Sequence, residues 1–174
     1  MRHSAFFVGI GAVLLLSLIL SGCGVRSIPT ALNEVEATWS EVLNQYKRRS
    51  DLIPNLVNIV KGYAAHEKET LLAVVDARAK ATQTQVSTNQ LTPESLRQFS
   101  QAQAGLGSAL SRLMVVVERY PELKANENFR DLQVQLEGTE NRITVARYRY
   151  IQSIKGFNNL ITVPPESWYN SWFL

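Results

Sequence analysis

His66 and Glu67 stand side by side, and a histidine next to a glutamate on a helix is the opening of a zinc-hydrolase pattern. That pattern needs a second histidine four residues after the first, and position 70 is Thr70. His3 stands at the far amino terminus and Cys23 is the single thiol, so zinc ligands do not assemble. His66 is expected as a half-exposed helix residue. A di-metal site in a helical bundle needs a Glu-x-x-His pair on two helices, and there is none. No Gly-x-Ser-x-Gly occurs, and no serine has a histidine to activate it. Gly105-Leu106-Gly107 is too short for a phosphate loop and reads as a place where helices pack closely. The sequence therefore assigns no catalytic residue, no metal and no cofactor. What remains is a polar set on or beside helix seams: Arg49, Glu67, Arg78, Thr139, Glu140 and Arg142. Two readings stand open for it. The groups pair in a layer that sets helix register, or they line a ligand site between helices.

Cys23 carries a different chemistry. Ahead of it lie a short basic start, Met1 to Ser4, and sixteen uncharged residues from Ala5 to Leu20. That is the layout of a secretory signal, and it is short for a membrane span. Leu20-Ser21-Gly22-Cys23 resembles the bacterial lipobox, in which small residues admit a peptidase and the cysteine thiol takes lipid. Each buried methylene of an acyl chain contributes about 0.8 kcal/mol, so two or three chains hold firmly. The expected organisation is a signal peptide over 1–22 and a lipidated tether over 23–30, followed by a bundle over 31–160 and an aromatic tail over 161–174. Removing residues 1–22 leaves 152 residues, with 17 basic side chains against 15 acidic. That suffices for one core, and the balance argues against nucleic acid as a partner.

The elements that hold the polar set are all helical. Leu32, Val35, Trp39, Val42 and Tyr46 recur by threes and fours, as do Leu96, Phe99, Gln103, Leu106, Leu110, Leu113, Val117 and Tyr120. A further stripe runs through Phe129, Leu132, Leu136, Thr139, Ile143, Ala146 and Tyr150. No stretch alternates by twos as a strand would. The fold expected is all-α, an antiparallel up-and-down four-helix bundle with helices at about 31–49, 52–84, 93–120 and 127–157. Thr92-Pro93-Glu94 starts the third helix, and Asn126 and Glu127 open the fourth. The first boundary is the hard one. The apolar phase runs unbroken from Tyr46 to Ile53, which permits one helix kinked at Pro54. That helix, from Leu32 to Ala81, would span about 75 Å at about 1.5 Å per residue and leave half its length without a partner. A tight corner at Ser50–Pro54 is the reading adopted, and it makes Lys47, Arg48 and Arg49 a basic cluster at a solvated turn.

The blocks Tyr46 to Val57, VKGYAAHEKETL (Val60 to Leu71), ARAKA (Ala77 to Ala81) and YPELKANENFRDLQVQLEGTENRITVARYRY (Tyr120 to Tyr150) together resemble the LemA family, over roughly residues 30–160. The resemblance implies a membrane-attached antiparallel four-helix bundle facing away from the cytoplasm, and it favours the corner. It also implies a link with membrane organisation. Two departures stand out: a lipobox in place of a plain membrane helix, and a carboxyl-terminal text unlike the family's usual extension. The expected function is a non-catalytic scaffold or adaptor at the bacterial cell envelope. It would be held to the membrane through lipid on Cys23, with a membrane or envelope protein as partner. Gly24 after Cys23, in place of an acid, leans toward the outer membrane. Arg147, Arg149, Trp168 and Trp172 are the expected membrane contacts. The rival reading is a receptor with a small ligand between the helices, for which a pocket near Glu67 and Arg142 would be the sign.

Overall fold

The computed structural model describes residues 2–84, 86 and 91–163, with side chains from Ser27 onward. The helices are α1 (Arg2–Tyr63), α2 (Lys68–Gln83), α3 (Pro93–Val117), α4 (Pro121–Ala125) and α5 (Glu127–Thr162). No strand occurs among the described residues. The all-α bundle expected from the periodicity is the fold observed, but the position of its first corner is not.

α1 runs through Arg48–Pro54 without a break, and the chain turns instead at Ala64–Glu67. There the Ala64 N–H donates to the Val60 carbonyl at 2.8 Å and the Glu67 N–H to the Ala64 carbonyl at 3.0 Å. The helices expected at 31–49 and 52–84 are thus one helix ending at Tyr63 and a shorter one beginning at Lys68. The physical reason lies in the partner of a single carbonyl. A proline inside a helix removes the N–H that would bond the carbonyl four residues earlier, here that of Ser50. Arg78 of α2 supplies the missing donor, its Nε reaching the Ser50 carbonyl at 2.9 Å across 28 residues of sequence. Pro54 itself is exposed, so its ring displaces nothing in the core.

The other boundaries follow local chemistry. At the start of α3 the Thr92 hydroxyl accepts from the Ser95 N–H at 3.0 Å, and the Ser95 hydroxyl accepts from the Thr92 N–H at 2.9 Å. This reciprocal cap satisfies two donors that a helix end leaves free. Asn126 Oδ1 accepts from the Phe129 N–H at 3.0 Å and caps α5.

The chain forms two compact units, one of residues 1–38 with 149–174 and one of residues 39–148. In the first, α1 and α5 are joined by a 2.8 Å hydrogen bond between the Thr38 and Ser153 hydroxyls. The second is the bundle proper. Within it, Arg78 of α2 meets Ser50 of α1, while Glu67, at the end of the first turn, meets Arg119 beyond α3. Asn126, ahead of α5, meets Tyr63 at the end of α1. These contacts fix an up-down-up-down order. The core takes Ile53, Leu56 and Val60 from α1, Leu71 and Val74 from α2, Leu106 and Leu113 from α3, Leu123 from α4, and Phe129, Leu132 and Leu136 from α5. Fully burying one such side chain contributes about 1.5–3 kcal/mol. Every apolar position read on the stripe from Phe129 to Ala146 is buried.

Candidate functional site

Of the polar set, Arg49 and Glu140 come together. The place of Arg49 in the α1 stripe, three residues after Tyr46, turns the guanidinium inward, and only 5% of the residue is exposed. The Tyr46 ring lies beneath it at 5.1 Å from the ring centre, within cation–π range. From α3, Gln103 presents two acceptors to Nη2, its side-chain Oε1 at 2.8 Å and its backbone carbonyl at 3.2 Å. The Gln103 amide in turn donates to the Ala81 carbonyl of α2 at 3.3 Å. From α5, Glu140 accepts from Nη1 at 2.9 Å, and its side chain is 59% exposed. One guanidinium therefore ties α1 to α3 and α5, and Gln103 extends the tie to α2. Three buried atoms of this region have no hydrogen-bond partner: Arg49 Nε, Ser50 Oγ and Gln45 Oε1.

The remaining residues of the polar set fall elsewhere. Thr139 is fully buried, donating to the Gln135 carbonyl at 2.7 Å and accepting from Arg142 Nη2 at 2.9 Å. Arg142 is otherwise exposed on α5. Glu67 lies beyond the end of α1, about 21 Å along the helix from Arg49 to Tyr63. It accepts from Arg119 at 2.9 Å and from the Tyr120 hydroxyl at 3.0 Å. That bond, more than partial burial, holds the Tyr120 phenol above its ordinary pKa. Glu67 and Arg142 thus have separate partners. His66 is exposed in the turn before α2, not on a helix, so its adjacency to Glu67 has no helical geometry. Lys47 pairs with Asp51 at 2.7 Å while Arg49 is buried, so Lys47, Arg48 and Arg49 form no basic cluster. No group of three metal-ligating side chains occurs among the described residues.

Sequence reasoning missed Gln103 and Trp39. Gln103 is a polar residue in the phase of an apolar stripe, and that was the available signal. Trp39 donates its ring N–H to the Val86 carbonyl at 3.0 Å and packs edge-on against Phe99 at 5.6 Å, contacts that no local pattern announces. Beside them opens a cleft of about 480 Å³, lined among others by Leu43, Tyr46, Lys47, Ser50, Phe99 and Gln103. The two glycines of α3 are not close-packing residues, since a Cβ on either would meet nothing within 4 Å. Instead Gly105 borders a groove of about 360 Å³ toward α2, and Gly107 one of about 400 Å³ toward α5.

Arg147 and Arg149 are exposed on α5. Cys23 and the apolar run before it lie outside the described side chains, and Trp168 and Trp172 outside the described residues. Among the residues whose side chains are described, from Ser27 onward, no helix is long and apolar enough to cross a membrane.

Fold and polar tie together define an all-α bundle whose interior charge is engaged in holding helices. The profile of the LemA family matches residues 38–174, and the chain belongs to that family. The match reaches further toward the carboxyl end than the quoted blocks did. The chain is 25% identical over 153 residues to the magnetosome protein MamQ of Magnetospirillum gryphiswaldense, covering 78% of this chain and 56% of that one. It is 36% identical over 64 residues to the magnetosome protein MamQ 2 of Paramagnetospirillum magneticum, covering 37% of this chain and 24% of that one. The chain thus spans about half the length of the first of these relatives, and less of the second.

Proposed function

We propose that the chain is a non-catalytic scaffold or adaptor of the bacterial cell envelope, exported and moored by lipid on Cys23. The observation that carries this reading is the engagement of the interior polar groups. Arg49 binds Gln103 and Glu140, and Glu67 binds Arg119 and Tyr120, so the charges available for chemistry act as struts. The relatives are named for a cell structure, the magnetosome, and not for a reaction. The partner is a membrane or envelope protein, and Arg147, exposed on α5, contacts anionic headgroups beside it. Gly24 favours the outer membrane as the holder.

Two measurements test the proposal. Replacing Cys23 with alanine is expected to abolish labelling by a fatty-acid analogue and to release a still-helical protein from the membrane fraction. Persisting label sinks the lipid anchor. Proximity labelling in intact cells is expected to mark one membrane protein repeatedly, and a pattern of abundant soluble neighbours alone sinks the adaptor. The cleft beside Ser50 favours a second reading, a receptor for a small ligand between the helices. A small molecule released on unfolding the purified chain, and identified by mass spectrometry, decides for it.

A further inference from the structure

The outward side of α5 carries a pattern the bundle does not use. Asp131, Val134, Gly138, Asn141, Val145 and Tyr148 recur by fours and threes, on the side away from the buried stripe of Leu132, Leu136, Thr139, Ile143 and Ala146. Val134, Val145 and Tyr148 are 67%, 49% and 63% exposed. Apolar side chains at this spacing make the seam of a helix pair. Gly138 stands in the middle of the stripe. A glycine inside a helix is unfavourable, and beside this one only the flexible Arg142 guanidinium approaches the place of a Cβ, at 3.5 Å. Such a position admits a second helix backbone at close range.

Charge says which helix. From 127 to 140, α5 holds Glu127, Asp131, Glu137 and Glu140 against Arg130 alone. From 141 to 155 it holds Arg142, Arg147, Arg149 and Lys155 and no acid. A parallel copy would set acid on acid. An antiparallel copy lays each acidic half over a basic half, and two-fold symmetry repeats the match. An anionic bilayer would answer only the basic half and leave Val134 and the acids unexplained.

We propose that this face of α5, from Asp131 to Arg149, pairs antiparallel with the same face of a second copy of the chain. Val134 of each copy packs on Val145 of the other, and Gly138 lies across from Asn141. Asp131 then comes near Arg149 of the second copy. This assigns Arg149 to the partner chain and leaves Arg147, on the other flank of α5, to other contacts. All of these positions lie on one helix. Two facing helix surfaces of this length fall at the small end of specific interfaces, below about 1,200 Å², so the association is weak and salt-sensitive.

The test uses two charge-reversed full-length chains in a nonionic detergent. One carries Asp131→Lys and Glu137→Lys, the other Arg142→Glu and Arg149→Glu, and all four positions are exposed. Sedimentation equilibrium of wild type is expected to show a monomer–dimer equilibrium weakened by salt. Each variant alone is expected to associate at least tenfold more weakly, and an equal mixture to regain the wild-type constant. Unchanged circular dichroism shows that the fold is kept. Should a charge variant not fold, Val134→Ser with Val145→Ser is expected to give the same tenfold loss. The proposal is overturned if wild type stays monomeric, if the variants associate as tightly as wild type, or if the mixture gains nothing. Monomeric wild type that binds only phosphatidylglycerol vesicles would assign the basic half to the membrane and likewise overturn it.

Discussion

Removing Arg49 and Gln103, singly and together, weighs the buried half of the polar tie against its surface half. The Arg49 side chain is 6% exposed and the Glu140 side chain 59%. The two partners differ in what water does once the arginine is gone. Glu140 rehydrates, so its ion pair contributes at most about 1 kcal/mol. Gln103 is buried, and its Oε1 then loses the donor it has at 2.8 Å. An unmet buried acceptor costs about 1–3 kcal/mol. Arg49→Met keeps most of the packing of the aliphatic stem. It is expected to lose about 2 kcal/mol, nearly all from the orphaned acceptor. Arg49→Met with Gln103→Leu is expected to recover only part of that loss, because the leucine removes the orphaned Oε1 but also the amide that donates to the Ala81 carbonyl at 3.3 Å. Glu140→Gln is expected to lose less than about 1 kcal/mol. Urea unfolding of the full-length chain, followed by circular dichroism, measures each variant. The double-mutant coupling between Arg49 and Gln103 is expected at about 1–3 kcal/mol, against less than about 1 kcal/mol between Arg49 and Glu140. A larger coupling to Glu140, or an Arg49→Met chain as stable as wild type, refutes the reasoning.

Arg78→Met is expected to destabilise the bundle by about 1–3 kcal/mol, by stranding the Ser50 carbonyl. In a Pro54→Ala background, where the helix supplies its own N–H, the same substitution should matter little, and equal losses in both backgrounds would show that Arg78 acts otherwise. Gly105→Ala and Gly107→Ala are each expected to raise stability by up to about 1 kcal/mol, since a Cβ there meets nothing within 4 Å. A lowered melting temperature for either would show that the grooves do not accept it. The last prediction concerns alkaline pH. Tyr120 is raised above its ordinary value, chiefly by its bond to Glu67, so the bond stabilises the fold while the phenol is protonated and is lost as pH rises through the folded value. Unfolding midpoints measured across that range should fall more steeply for wild type than for Tyr120→Phe, and parallel curves would contradict the assignment.

Much of this protein was legible as one-dimensional pattern. Greasy positions recurring by threes and fours identified the buried stripes of α3 and α5 almost residue by residue, because a helix turns at a constant 3.6 residues per turn and its neighbours need a continuous face. Thr92 and Asn126 marked helix starts because a cap bonds within its own first turn. Local chemistry leaves a local trace. Where α1 ends was decided elsewhere: Ser50, Asp51 and Pro54 spell a helix start, yet Arg78, 28 residues on in sequence, bonds the carbonyl that Pro54 strands and lets the helix continue. The partners of Arg49 were settled in the same way, since Gln103 and Glu140 come from helices 54 and 91 residues away. A buried donor takes whatever acceptor packing delivers. That delivery is a property of how the rods stack, and no single rod records it.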